Sequence, residues 1–418
     1  MSGTPVVSAA RPAAEAPRSV LREASFLRLW VAATASGLAT WALPFVLGFA
    51  VLERALTPGA LGLVLGARTV GFLIAVPVGG VLADRYARRD VVRAAGLAAA
   101  LATPVLAAAI GRSVAVMAVA AVVIGAGQGA CRPAFQALTA DVVDPGRRQQ
   151  ANAAMTLAVR VTTLAGPGGA ALLATVLPVP ALVCATGLLW LAAALLPPPG
   201  GPRVAAPTAQ RGTYLREFAE GLREARRHAW FLAGLGALTA VIATGYSATG
   251  VLLPLMSRDT YGGEAVLAAA TTAYTAGALL GAVVIARWRP RSAGWAALAG
   301  LACYGLAPLG LWLEAHPLVV VAGYAAAGAG IELFNVPWFT AIQREVEPRL
   351  LARVSSLDFL FSYGLAPVGL ALIAPAAEAF GPGVVLGVCA AVCFLAPAAA
   401  ALAPGARHFA RAGRLEGG

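Results

Sequence analysis

Long apolar runs separated by short polar stretches dominate the pattern of hydrophobic positions along the chain. About 20 apolar residues suffice to cross a hydrocarbon layer of about 30 Å, and these runs are of that length. The pattern therefore predicts twelve membrane-spanning helices in two sets of six. The first set is 29–51, 61–83, 93–111, 114–138, 152–177 and 180–197. The second set is 229–256, 265–286, 293–313, 317–341, 353–377 and 382–403.

Composition and charge agree with a membrane protein and predict its orientation. Hydrophobic residues make up 59% of the chain and charged residues 12%, whereas a soluble domain carries about 25% charged residues. All 31 basic residues are arginine. With the N-terminus inside, 25 of them fall on the cytoplasmic side and only Arg54, Arg112 and Arg258 fall outside. This positive-inside bias predicts a multi-pass protein of the plasma or inner membrane with cytoplasmic termini. We expect its basic segments to contact the lipid bilayer and not nucleic acid.

The spans divide the chain into two helical bundles with polar connections. The linker segment TYLREFAEGLREARRH predicts an amphipathic helix on the inner membrane surface. The N-terminal tail lacks the apolar region of a signal peptide, and we expect it to be disordered. The predicted organisation is a disordered cytoplasmic tail (1–25), a six-helix bundle (26–197), a cytoplasmic linker (198–228), a second six-helix bundle (229–403) and a cytoplasmic tail (404–418).

The two halves of the chain carry an internal repeat. Equivalent positions lie 200–204 residues apart, as in the pairs Gly80/Gly281, Pro133/Pro337 and Pro167/Pro367. Both halves start and end on the same side, so the repeat is parallel. Such halves pack around an axis along the membrane normal and hold the substrate near the midplane at their interface.

A charged stretch, GGVLADRYARRDVV (79–92), begins at the end of the second apolar run and leads to the third. It resembles the signature loop between the second and third helices of the major facilitator superfamily, and the matching residues are Gly80, Asp84, Arg85, Arg88 and Arg89. Ala87 stands where the family usually has glycine. The resemblance covers residues 24–403 and implies a cytoplasmic latch between the halves. Asp84 would then meet the N-terminus of the eleventh span near Ser355, where a helix dipole and free N–H groups stabilise a carboxylate. The alternative is a basic loop that only sets topology.

Two further stretches, ALTADVVDPGRRQQANA and NVPWFTAIQREVEPRLLARVSSLD, resemble one branch of that superfamily. This branch, the drug–proton antiporters, includes macrolide-efflux and enterobactin-exporter proteins. The resemblance implies a monomeric secondary transporter that exports a bulky amphipathic compound, such as a drug or siderophore, in exchange for protons. One alternative is an uptake porter for a sugar or metabolite with the same fold. Another is an integral-membrane enzyme, which would need a set of reactive side chains that we do not find.

Ionisable residues inside the predicted spans are the candidates for the substrate and proton pathway, because a charge in a membrane helix is costly. Glu332 is the acid nearest the midplane and is the candidate proton carrier. Its alternatives are binding a cationic substrate and pairing statically with an arginine. Gly166 and Pro167 predict a kink in the fifth span. The pathway set is Arg68, Arg132, Arg160, Glu332, Asn335, Trp338 and Asp358.

The sequence predicts neither a cofactor nor a metal site. With no lysine in the chain, a phosphate-binding loop of the type Gly-x-x-x-x-Gly-Lys-Ser/Thr cannot form, which argues against ATP-driven transport. The five cysteines fall in the apolar spans, without histidine partners at the spacing of metal ligands.

Overall fold

The first half of the chain forms six helices that run alternately between the two ends of a bundle. The structure is a computed structural model that describes residues 19–200, 214–364 and 366–410. A short 3-10 helix, Val20–Arg22, precedes the first long helix. The six helices are α1 (Ala24–Leu52), α2 (Pro58–Arg85), α3 (Arg88–Ala109), α4 (Val114–Val142), α5 (Arg148–Leu173) and α6 (Val179–Leu195).

The second half repeats this order after a linker helix, α7 (Tyr214–Arg226), but several of its spans are interrupted. The seventh span comprises α8 (Ala229–Val241), a π-helical segment (Ile242–Tyr246) and α9 (Ser247–Asp259). The ninth comprises α11 (Ala293–Ala302), a 3-10 turn (Cys303–Gly305) and α12 (Leu306–Trp312). The other spans are α10 (Ala265–Arg287), α13 (Pro317–Glu345), the pair α14 (Leu351–Gly364) and α15 (Ala366–Phe380), and α16 (Pro382–Ala401).

These helices confirm the predicted all-α membrane fold. Nine helical segments in the described ranges are long and apolar enough to cross a membrane, and Val179–Leu195 and Val368–Phe380 are shorter apolar helices. Helix boundaries differ from the predicted spans where capping decides them. Helix α2 starts three residues before the predicted 61 because Thr57 caps it, accepting a hydrogen bond from the Ala60 N–H, and Pro58 occupies the first turn.

Glycines allow the same close helix packing in both halves. A Cβ atom on Gly125 of α4 would lie 1.9 Å from the backbone oxygen of Arg68 on α2. A Cβ atom on Gly277 of α10 would lie 2.0 Å from the backbone oxygen of Ala325 on α13. Only glycine permits backbones to approach this closely. The corresponding helix pairs of the repeat therefore pack in the same way.

One end of the bundle, which we call the linker end, carries α7 and both terminal segments. Val20 and Phe26 pack against Val143 and Ala151 in the N-terminal half, and residues 1–18 lie outside the described ranges. At the other terminus Phe409 is buried against Trp230, and residues 411–418 lie outside the described ranges. The described parts of both predicted tails are thus packed against helices.

Candidate functional site

Asp84, at the linker end of α2, joins the two halves of the protein. Its side chain is fully buried. Oδ1 accepts a hydrogen bond from the backbone N–H of Ala352 at 3.2 Å, and Oδ2 accepts one from the backbone N–H of Arg353 at 3.0 Å. Both donors lie in the first turn of α14, where N–H groups have no partner within the helix. The carboxylate therefore caps a helix of the opposite half.

Gly80 brings α2 into direct contact with α14, one turn above Asp84. A Cβ atom at this position would lie 2.6 Å from Oγ of Ser356 and 2.8 Å from the backbone oxygen of Ala352. Ser355, the residue proposed for this contact from the sequence, is buried beside Ser356. The glycine of the motif thus allows the close approach on which the Asp84 hydrogen bonds depend.

The arginines of the motif differ in their contacts. Arg88 is buried and lies 3.8 Å from Asp84, but its shorter contacts are to Asp141 at 2.6 Å and to the backbone oxygen of Pro348 at 2.5 Å. The contact with Pro348 crosses between the halves. Arg85 instead contacts the linker helix. Arg89 is half-buried and makes no ion pair with any residue of the described ranges.

The linker helix α7 takes part in these contacts, which sequence reasoning missed. Glu217 forms an ion pair with Arg85 of the first half at 2.5 Å and with Arg353 of the second half at 2.9 Å. Arg353 also contacts Glu220 at 3.0 Å. The sequence predicted an amphipathic helix on the membrane surface. In the structure the helix lies against the bundle, and Glu217 bridges the two halves.

Amide side chains add a second group of contacts between the halves at the linker end. Asn152 of α5 donates hydrogen bonds to Thr340 at 3.0 Å and to Gln343 at 2.9 Å on α13. Gln343 in turn donates to the backbone oxygen of Gln136 at 3.2 Å. Arg148 donates to the backbone oxygen of Gln343 at 2.7 Å. These polar contacts close the linker end.

Glu332 and Arg160 meet near the middle of the bundle. Glu332 on α13 is fully buried, and its Oε1 accepts a hydrogen bond from Nε of Arg160 on α5. The Arg160 side chain is 20% exposed and lies 5.8 Å from the centre of the Tyr274 ring. The hydrogen bonds of Asp84, Arg88 and Asn152 between the two bundles lie nearer to the linker end.

Arg68 and Arg132 lie on the same half as Arg160. Arg68 donates hydrogen bonds through Nη2 to Oε1 of Gln128 at 2.7 Å and to the backbone oxygen of Thr40 at 3.0 Å. Arg132 is half-buried and lies over the ring of Phe359 at 5.9 Å, across the interface between the halves. Three of the predicted pathway residues thus place positive charge on the inner face of the first bundle.

The remaining predicted pathway residues lie in the second bundle. Asp358 is buried and accepts a hydrogen bond from Nε1 of Trp338 at 2.8 Å. Trp338 is itself fully buried and stacks on Phe231 and Phe334, so it forms part of the core of the second bundle. Asn335 lies one turn from Glu332 on α13 and is half-buried.

Gly166 and Pro167 lie within α5, which is continuous from Arg148 to Leu173. A Cβ atom on Gly166 would lie 3.0 Å from Cβ of Trp41, so the glycine allows α5 to approach α1. The glycine therefore acts on helix packing within the first bundle, and the kink at Pro167 stays a prediction.

Gln128, which sequence reasoning missed, could have been found from the repeat. It lies 204 residues before Glu332, the same spacing as Pro133 and Pro337. Each half thus places a hydrogen-bond acceptor for an arginine at the equivalent position. The described residues contain no group of three or more His, Cys, Asp or Glu side chains placed to hold a metal ion.

The fold agrees with comparison to known families. The sequence model of the Major Facilitator Superfamily matches residues 29–370. The chain therefore belongs to this superfamily and is a membrane transporter. No curated protein sequence matches the chain.

Solved transporter structures share the fold at low sequence identity. The human organic anion transporter MFSD10 (TETRAN) has a TM-score of 0.75 and 16% identity, over 90% of this chain and 99% of the other. A bacterial homologue of the iron transporter ferroportin, in an outward-facing state, has a TM-score of 0.71 and 14% identity, over 90% and 98%. The proton:xylose symporter XylE has a TM-score of 0.66 and 14% identity, over 90% and 94%. At these identities the likeness concerns the fold alone.

Proposed function

We propose that the protein is a proton-coupled secondary transporter that exports a bulky amphipathic organic compound across the plasma or inner membrane. The observation that carries this proposal is the Arg160–Glu332 pair, which joins the two halves near the middle of the bundle. A titratable acid at this place can change the attraction between the halves when it gains or loses a proton. The export direction and the antiport mode rest on the resemblance to drug–proton antiporters.

The contacts at the linker end support an alternating-access cycle. Asp84, Arg88 and Glu217 hold the halves together at this end, and the opposite end lacks comparable hydrogen bonds between the bundles among the described residues. The arginine bias assigns the linker end to the cytoplasm. The conformation is then closed to the cytoplasm. The state that is open to the cytoplasm requires these contacts to break together.

With this geometry, proton binding to Glu332 couples the proton gradient to the separation of the two halves. The neutral acid no longer attracts the Arg160 guanidinium, so the pair weakens and the halves separate more easily there. Loss of the proton restores the pair. Because the Glu332 side chain is fully buried and Arg160 is partly exposed, the proton reaches the acid from the side of the interface that Arg160 faces.

The test is the substitution Glu332→Gln in proteoliposomes with an imposed pH gradient. Glutamine is close in size to the protonated acid but cannot titrate. We expect the variant to bind and exchange substrate but to lose its uphill accumulation. Glu264→Gln is the matched control, since Glu264 is an exposed acid at the start of α10. If the Glu332→Gln protein still concentrates substrate under a pH gradient alone, Glu332 is not the coupling site.

A further inference from the structure

Arg68 is a positive charge deep in the bundle that no described carboxylate neutralises. It is the tenth residue after Pro58, where α2 begins, and a rise of 1.5 Å per residue places it about 15 Å along the helix. This is about half the thickness of a hydrocarbon layer of about 30 Å. An ionised side chain at this depth is costly and usually has a functional partner.

The partners of Arg68 within the protein are both neutral. Nη2 donates to the amide oxygen of Gln128 and to the backbone oxygen of Thr40, while Nε is buried without a hydrogen-bond partner among the described residues. These contacts orient the guanidinium group but leave its charge uncompensated.

Neighbouring charges increase the positive potential. Arg132 lies one helical turn after Gln128 on α4, and Gln128 accepts the hydrogen bond from Arg68, so the two positive charges are on neighbouring turns of the same helix pair. The carboxylate of Glu332 already pairs with Arg160. Asp358 lies nearer to the linker end and accepts a hydrogen bond from Trp338. A ligand that enters between the halves therefore meets more positive than negative charge.

From these contacts we propose that the cargo is an amphipathic organic anion whose acidic group binds to Arg68, with Arg132 adding to the attraction. This inference rests on the proposed transport function and specifies its substrate class. Both Nη2 hydrogens of Arg68 are taken by Gln128 and Thr40, which leaves the Nη1 group to donate charge-assisted hydrogen bonds to a carboxylate, sulfonate or phosphate group. The exposed Tyr246 and the half-buried Tyr274 provide aromatic surface in the second half for the apolar part of the molecule.

The test uses three compounds that share one apolar scaffold: 2-naphthylacetate, its neutral amide and 2-naphthylethylamine. Binding to the purified full-length protein is measured by stabilisation against thermal unfolding at several concentrations. We expect the carboxylate to bind at least about tenfold more tightly than the amide, in line with charge-assisted hydrogen bonds. The amine is expected to bind most weakly.

Variants separate a binding role of Arg68 from a role in helix packing. Arg68→Gln is expected to reduce the preference for the carboxylate to below about threefold while leaving the affinity for the amide unchanged. Arg68→Lys is expected to keep part of the preference, because it keeps the charge. Arg112→Gln is the matched control, since Arg112 lies on an exposed turn between α3 and α4.

Equal binding of the carboxylate and the amide by the native protein would overturn the proposal, as would an equal loss of affinity for all three compounds in Arg68→Gln. The assay needs no proton gradient, so it is independent of transport. Selective binding of the anion without movement across proteoliposomes would leave the anion site standing and contradict the transport function. Gradient-driven movement of the amine would contradict the anion site and leave the transport function standing.

Discussion

Asp84→Asn is the substitution with the most direct consequence for the closed linker end. The native carboxylate accepts hydrogen bonds from two backbone N–H groups of α14 and lies 3.5 Å from Nε of Arg353. Asparagine keeps one acceptor oxygen but presents an NH2 group to the second N–H donor. At least one hydrogen bond and the attraction to Arg88 and Arg353 are therefore lost.

The size of the effect follows from these contacts. A hydrogen bond to a charged group contributes about 1.5–3 kcal/mol, and the helix dipole adds about 0.3–1 kcal/mol. Burying a neutral amide costs less than burying a carboxylate, which offsets part of the loss. We expect the closed state to be destabilised by about 2 kcal/mol relative to the open state, which is a change of roughly 30-fold in their ratio.

The assay is a distance measurement between spin labels on the two halves at the linker end. Asp144 and Arg291 are exposed loop positions on opposite halves, and they can be labelled in a background that lacks the five native cysteines. We expect Asp84→Asn to move the distance distribution towards longer values and to slow transport, with insertion into the membrane unaffected. Asp90→Asn, an exposed acid of the same motif, is the control. An unchanged distribution together with normal transport would refute the latch and favour a loop that only sets topology.

Two further predictions concern the linker helix and the orientation of the chain in the membrane. Glu217→Gln is expected to weaken the ion pairs with Arg85 and Arg353 and to shift the same distance distribution towards the open state, whereas a helix that merely rests on the membrane would leave it unchanged. For topology, cysteine at Ser2 or Thr208 is expected to resist impermeant thiol reagents in intact cells, because the arginine bias places both on the cytoplasmic side; labelling of either position would contradict that orientation.

The fold could be predicted from the sequence because the membrane restricts the choice. A chain with uninterrupted apolar runs must form helices that satisfy their own backbone groups within lipid. The 200-residue spacing of the repeat then relates the two halves. The interruptions of the α-helical spans in the second half were less predictable. The π-helical segment at Ile242–Tyr246 and the 3-10 turn at Cys303–Gly305 depend on packing between helices, which hydrophobicity does not record.

The candidate site could be predicted in part, because the membrane restricts where charged side chains occur. A charge within an apolar run is conspicuous, so Arg160 and Glu332 were found, and the structure places them in contact. Trp338 was included in the pathway set, but its side chain packs into the core because the positions 332 and 338 lie on different faces of α13. Gln128 and Glu217 were missed because polar side chains acquire partners only through tertiary contact.

The contacts between the halves limit how far protonation of Glu332 alone can shift the equilibrium between the closed and open states. To move a two-state equilibrium from 1:99 to 99:1 requires a bias of about 5.5 kcal/mol. Breaking a buried ion pair by neutralising one partner costs about 3–5 kcal/mol, and the partial exposure of Arg160 lowers this figure because solvent screens its charge. The amide contacts of Asn152 and Gln343 do not titrate, so the proton leaves them intact. In the proposed mechanism, protonation of Glu332 would therefore bias the cycle without completing it, and substrate binding would provide the remaining free energy.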